Sequence, residues 1–443
     1  MADRAQTPRF PAGLAALCAS VGFERAAYFG LQSILALYLA DLLLDDAAIG
    51  RVWLLPRLAN LVGGQGVQLA GVVTGLFGSL AALAPLIGAT IADRWLGQHR
   101  AIMLGGAMMA AGHGLLIAEP AILAALATIA VGSGFFKGAL AARLSGLYEA
   151  HDARRVEGFR LFYIAINIAG LTAPLIIGTL GEQGHWHAGF AVSCSAMLAG
   201  LAIYARGARS LRDAASDQPA GADHAPQPLP TGGLRVLLGL GLATALLTVP
   251  NAQLTNAYLL WAKEGFIRDL AGWRIPVSWL IAADGLVSLA ALAGSGAFWA
   301  RYERQRGLVR AETKALAGAG FVVAAAGCLS MAALVHGRTG VPMIWGLAFQ
   351  LLNSLGLANV LPAVMASFGQ AGSQRLGATA MAGFYLALFA GGLISTVLAA
   401  QFTSLPIATF WLLHALCAAA GAALLVMRKW RAAGQISAGA PSR

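Results

Sequence analysis

The sequence predicts an all-α protein that crosses a membrane twelve times, as two bundles of six helices joined by a polar linker. Three observations predict it. Hydrophobic residues make up 58% of the 443 residues and charged residues only 11%, with mean hydropathy +0.71, a balance foreign to soluble globular domains. Apolar segments long enough to span a bilayer recur from one end to the other, and the short alternating segments of a membrane β-barrel are absent. Of the 30 Lys and Arg, 22 fall on one side of the assigned helices, 6 on the other and 2 within them. That positive-inside bias places both termini in the cytoplasm, and it explains the net charge of +11 without a nucleic-acid partner.

Helix one follows a tail, residues 1–13, and runs from Leu14 to about Leu44 with Glu24 and Arg25 as its only charges before Asp41. Ionised groups near mid-membrane cost several kcal/mol unless paired or facing water, so this pair marks a functional site. The plainer reading is a neutralised pair that locks two helices together. Residues 45–66 form an outer loop containing Arg51 and Arg57, and helix two spans about Val67 to Ala92. After it, Asp93, Arg94 and Arg100 flank a tight turn, where an acid at a helix end and following arginines can gate two helices through charge and helix-dipole contacts.

Helix three, about Ala101 to Ala118, carries His113, suited by its titration range to proton relay and, as a lone histidine on an apolar helix, more often a packing residue. Helix four, about Ala121 to Leu147, contains Gly132-Ser-Gly134-Phe-Phe-Lys137, in which small residues allow close helix approach and Lys137 adds a third intramembrane charge. Helix five, about Phe162 to Leu180, holds Asn167 and Pro174; helix six runs from about His187 to Ala205. Residues 206–233, with three arginines and four prolines, read as a cytoplasmic linker between the bundles 14–205 and 234–428. The second bundle has helices at 234–262, 275–300, 314–335, 341–369, 376–400 and 406–427, and a tail from 429 to 443. Six plus six is the plan of secondary transporters, whose substrate site lies near the midplane.

Cys18, Cys194, Cys328 and Cys417 lie scattered in apolar segments, which suggests neither a disulfide framework nor a metal site. No GxSxG, Walker, HExxH or Rossmann fingerprint falls on a suitable loop, so nothing points to an enzyme or to a cofactor.

Several spaced segments carry a family resemblance. Val21-Gly-Phe-Glu24-Arg25-Ala-Ala-Tyr28-Phe29-Gly30-Leu-Gln32 is similar to the helix-one ExxER motif of proton-dependent oligopeptide transporters of the major facilitator superfamily. The run from Pro85 to Arg100 resembles the family's helix-two signature, Gly132 to Lys137 its GxGxFKP, and Leu147-Tyr148-Glu149 with Gly158-Phe159, Phe162-Tyr163 and Asn167 its LYE and FYxxIN motifs. Ile275-Pro276-Val-Ser278-Trp279 and Thr313-Lys314 extend the likeness over most of residues 14 to 330. The resemblance implies the major facilitator fold. It also implies proton coupling by acids of helices one and seven, a substrate carboxylate held by the helix-one arginine and helix-four lysine, and an amine held by a helix-ten acid.

This chain departs from that pattern. The first ExxER acid falls on Val21, the closing arginine on Gln32, the helix-seven acid on Ala252 and the helix-ten acid on Leu357. Glu24, Arg25 and Lys137 remain, and Asp284, ten residues into helix eight, is a new acid. If helices one and four pack as the resemblance implies, Glu24 can bridge both cations, leave about one net positive charge for a substrate anion, and free them on protonation. Asp284 reads either as a replacement amine anchor or proton carrier, or as a protonated acid bonded to a neighbouring helix. Tyr28, Gln32, Asn167, Gln253, Asn256, Tyr258, Asn353 and Asn359 fall where such a fold has cavity walls.

The expected function is secondary transport of small peptides or peptide-like carboxylates by alternating access, with protons as the coupling ion and a modified, anionic or bulkier substrate favoured by the lost clamp residues. Two alternatives stay open: a transport-inactive relative that serves as a partner subunit of a membrane complex, and an exporter of a peptide-like natural product.

Overall fold

The computed structural model describes residues 10–11, 13–62, 64–148, 154–214, 233–371 and 377–438; most of the expected N-terminal tail and linker lie outside them, whereas the last helix runs on to Ala438 and takes in most of the expected C-terminal tail. Among the described residues twelve long helices follow one another: α1 Leu14–Leu42, α2 Gly66–Ile91, α3 Gln98–Leu115, α4 Ile122–Ser145, α5 Arg154–Ala173 and α6 Trp186–Ala214. The second set is α7 Gly233–Ala252 with a continuation Ala257–Gly265, α8 Trp279–Arg306, α9 Ala311–His336, α10 Met343–Ala371, α11 Gly377–Ala399 and α12 Ile407–Ala438. Among the described residues, 11 helices are long and apolar enough to cross a membrane. The exception is α3, whose 18 residues open on Gln98-His-Arg. Its glycines bring neighbours close: a Cβ on Gly105 would meet the Gly132 carbonyl of α4 at 2.5 Å, and one on Gly106 the Leu201 side chain of α6 at 2.7 Å.

Four local features differ from the sequence reading. The outer loop is not irregular but holds two short helices, Asp46–Arg51 and Leu55–Val62. Asp45 caps the first through the Ala47 N–H and pairs with Arg51 at 2.9 Å, and these two bonds hold its carboxyl below the ordinary aspartate range. Helix six runs on to Ala214, past the expected end at Ala205, because the alanine- and arginine-rich sequence there still favours helix. Helix eight starts at Trp279, so Asp284 lies six residues into it; the residues before it form a hairpin, β2 Asp269–Leu270 with β3 Trp273–Arg274. Ala271 and Gly272, both at positive φ, make its two-residue turn. Just before that hairpin, β1 Phe266–Ile267 pairs in parallel with β4 Val341–Pro342.

By contacts the chain forms two compact units, 1–31 with 84–223, and 32–83 with 224–443. The division cuts α1 after Leu31 and α2 after Leu83, so residues 32–83 pack with the second unit rather than with the first sequence half. Small residues make that possible. A Cβ on Gly71 would stand 3.4 Å from the Ala399 Cβ, and Gly75 and Gly392 lie against Thr396 and Ser79 in the same way. The second unit is centred on Leu240, Leu247, Val322, Val360, Val364 and Phe368, contributed by α7, α9 and α10.

Candidate functional site

In the first unit α1, α4 and α6 position the intramembrane charges. Gly200 of α6 lies against α1, where a Cβ would meet the Ser20 carbonyl at 3.1 Å, and the glycines of the α4 motif face two different helices. Gly132 rests on α3 and Gly134 on the Ala84 backbone of α2, which fixes α4 in place one turn before Lys137. Glu24 has no exposed surface, and Arg25 grips it with both prongs, Nε donating to Oε2 at 2.5 Å and a terminal nitrogen donating to Oε1. The Arg25 guanidinium also lies 4.9 Å from the centre of the Tyr28 ring and 5.7 Å from that of Phe29.

Lys137 is placed differently from the expectation. Glu24 does not bridge it to Arg25; Lys137 Nζ stands 4.2 Å from the centre of the Tyr28 ring, within electrostatic reach of both charges, and forms no ion pair among the described residues. The planar fork of Arg25 uses both carboxylate oxygens, and the remaining cation takes the face of an aromatic ring instead. Two cations and one anion therefore leave one positive charge whose ammonium donors are unspent, an arrangement suited to a carboxylate or another anion.

The second unit carries the opposite chemistry. Helix seven was expected to run unbroken from 234 to 262 and instead opens after Ala252, with Pro250 just ahead of the break. Gln253 is fully buried and holds that break: its side chain donates to the Ser395 carbonyl at 2.8 Å and accepts from the Ala257 N–H at 3.3 Å. Asn256, at the start of the continuation, donates to the Gly71 carbonyl at 2.9 Å, and its Oδ1 is buried without a partner among the described residues. Both were expected to bind substrate; Gln253 spends its polar atoms on the backbone.

Helices α8 and α10 are fastened by polar side chains. Gln350 donates to the Leu280 carbonyl at 2.9 Å, Ser354 bonds the half-buried Asp284, and Ser288 lies 2.9 Å from Ser354. Asn353 donates to Asn251 of α7 at 2.8 Å. Asp284 Oδ1, Gln350 Oε1, Asn353 Oδ1 and the Tyr258 hydroxyl are all buried without a hydrogen-bond partner among the described residues. Three of those four atoms can only accept, so this part of the unit is short of donors.

Other expected residues lie elsewhere. Gln32 is half-buried and counts with the second unit. Asn167 donates to the Tyr163 carbonyl of its own helix at 2.7 Å, a local bond rather than one to the charged cluster. Arg94 and Arg100 are exposed beside the turn Ala92–Leu96, and the side chain of Asp93 lies outside the described part. His113 is sealed, with neither ring nitrogen bonded, as a packing residue would be. Asn251, Ser288, Gln350 and Ser354 escaped the sequence reading. Their signal was there in the four-residue spacing of Asp284 with Ser288 and of Gln350 with Ser354, which puts each pair on one helix face.

Comparison with known proteins gives these clusters a context. The model of the POT family matches residues 99–225, a stretch that includes Lys137 and excludes Glu24 and Arg25. A di-/tripeptide transporter of Lactococcus lactis subsp. lactis is 34% identical over 199 residues, 44% of this chain. A peptide transporter of Yersinia enterocolitica is 34% identical over 202 residues, again 44% of this chain. The chain spans only 37% and 36% of the length of these two relatives.

Among solved structures, a peptide transporter POT in complex with sulfate superposes with TM-score 0.82 at 19% identity, covering 94% of this chain and 93% of that one. A POT family transporter in complex with 5-aminolevulinic acid gives 0.80 at 17%, covering 94% and 95%. At such identities the likeness is one of fold, and the major facilitator fold expected from the motifs is the fold found. The relatives by sequence are transporters, not enzymes.

Proposed function

We propose that this chain is a secondary-active transporter of small peptides or peptide-like carboxylates that works by alternating access. The observation that carries the reading is Lys137, an intramembrane ammonium held on the Tyr28 ring and without a carboxylate partner among the described residues. It offers a substrate carboxylate two or more charge-assisted hydrogen bonds beside the Arg25 guanidinium. The acceptor-rich cluster at Asp284, Gln350 and Asn353 suits a substrate ammonium. Solved structures of the same fold hold 5-aminolevulinic acid and alafosfalin, small molecules that carry an amine and an acid.

Coupling to protons follows from competition for Arg25. While Glu24 is ionised it occupies both guanidinium prongs. Protonation weakens that grip and lets a substrate carboxylate take its place, so proton and substrate bind together and a lower outside pH favours loading. In this reading the membrane is a bacterial inner membrane, with both termini cytoplasmic.

The experiment is uptake of a labelled zwitterionic probe, alafosfalin or 5-aminolevulinate, into proteoliposomes under an inward proton gradient. Gradient-driven accumulation should occur with the wild type and disappear with Glu24→Gln, while counterflow without a gradient survives. Wild-type vesicles that show no flux of any such probe, while the protein purifies with a stoichiometric second polypeptide, would favour the partner-subunit alternative.

A further inference from the structure

A cavity opens between α8, α9 and α10, at the ends that border the basic loop 301–314. Its volume is about 460 Å³, within the range of small-molecule sites. Leu292 and Ala300 of α8, Val309 before α9, and Ala358, Pro362 and Ala363 of α10 form an apolar wall. Away from Glu303 and Lys314, the polar side-chain atoms of its lining are spent on one another and on the backbone. Asn359 Oδ1 accepts from Ser295 Oγ at 2.7 Å and from Trp299 Nε1 at 2.5 Å, and its Nδ2 donates to the Leu355 carbonyl at 2.7 Å. Such an interior has no need of water or of a polar ligand and is best filled by hydrocarbon.

The rim has a different character. Lys314 pairs with Glu303 at 2.8 Å and lies 5.6 Å from the centre of the Trp299 ring; Glu303 also accepts from the Val309 N–H at 3.1 Å. The acid is thus committed, while the ammonium keeps donors. Around it Arg301, Arg304, Arg306 and Arg310 are exposed and form no ion pair among the described residues. Phe298, Trp299 and Tyr302 form a ring cluster on the last turns of α8, with Phe298 and Tyr302 exposed. An exposed aromatic cluster beside a basic loop marks the level of lipid headgroups on a spanning helix.

We propose that this cavity binds an anionic phospholipid, with one acyl chain between α8, α9 and α10 and the headgroup phosphate at Lys314 and the neighbouring arginines. Neither half of the site suffices alone. The hydrocarbon wall would take any acyl chain, and the surplus positive charge selects the headgroup. The proposal requires only that these helices lie in a bilayer, so it stands or falls apart from the transport reading.

The test is native mass spectrometry of the purified protein exchanged with phosphatidylglycerol or phosphatidylcholine of identical acyl chains. The wild type should retain one phosphatidylglycerol under activation that strips phosphatidylcholine. Gly296→Leu, at a position where an added side chain meets only open space, should abolish that retention with its thermal midpoint unchanged, and Ala358→Phe is a second way to fill the cavity. Lys314→Gln should cut the headgroup preference about fivefold, the effect of one basic residue near an anionic surface, and leave total lipid binding intact. Equal retention of the two lipids by the wild type, or undiminished phosphatidylglycerol in both cavity-filling variants, would overturn the site.

Discussion

Lys137 and Asp284 carry the most specific expectations about substrate. If Lys137 holds the carboxylate, Lys137→Gln loses a charge-assisted hydrogen bond of about 1.5–3 kcal/mol, and the apparent KM of a zwitterionic probe should rise at least tenfold with the unfolding midpoint unchanged. Tyr28→Phe keeps the ring under the ammonium and should stay near wild type, whereas Tyr28→Leu removes a cation–π contact of about 0.5–2 kcal/mol and should fall between. A Lys137→Gln variant with unaltered KM would move the carboxylate elsewhere. Asp284→Asn keeps a partner for Ser354 but removes the negative charge, so the preference of the wild type for a free amine over its N-acetylated analogue should vanish in competition assays. The sequence showed these charges because ionisable residues stand out against an apolar helix. It could not show that Arg25 would take both oxygens of Glu24 and leave Lys137 to an aromatic ring, since that depends on which helix faces which.

At the level of helices, all twelve long helices of the described residues were legible, eleven of them long and apolar enough to span a membrane, with boundaries mostly within a few residues of those observed. The misses within α7, α8 and α10 share a cause: each depends on a partner distant in sequence. The break in α7 is the clearest. Pro250 hinted at it, but what holds it open is the bond from Gln253 to the Ser395 carbonyl, 142 residues away. Gln253→Leu would leave the Ala257 N–H buried without its acceptor, at roughly 1–3 kcal/mol, and take from the Ser395 carbonyl the second of its two bonds, the first being that of its own helix. We expect its thermal midpoint in detergent to fall well below that of Gln253→Glu, which preserves an acceptor for Ala257. Equal midpoints would mean that the break is dictated by Pro250 and the local backbone alone. The pairs on α8 and α10 escaped for the same reason, because serine or glutamine in a spanning helix bonds its own backbone as readily as a neighbour.

For the chain as a whole, the sequence halves and the contact units differ in one segment, 32–83, which packs with residues 224–443. Periodicity and charge bias define spans but not their partners, so this division was out of reach of the sequence. Within the second unit the segment is fastened by an ion pair of Asp41 with Lys263, by Asn256 donating to the Gly71 carbonyl, and by Gln68 donating to Ser404 at 2.6 Å. Both charges of the ion pair are more than a third exposed, so it contributes roughly 0.2–1 kcal/mol; the buried amide bond of Asn256 adds about 1 kcal/mol. Fastenings of that size can be broken and remade thermally, which alternating access demands of any contact that closes one side of a carrier. If segment 32–83 leaves its unit once per cycle, tying it down must stop transport. Asp41→Cys combined with Lys263→Cys and bridged by a short cleavable bis-thiosulfonate should arrest net uptake, and reductant should restore it, while either single cysteine treated the same way keeps its rate. A bridged double variant that transports at the unbridged rate would show that the segment stays in place throughout the cycle, and the opening motion would then have to be sought in other helices.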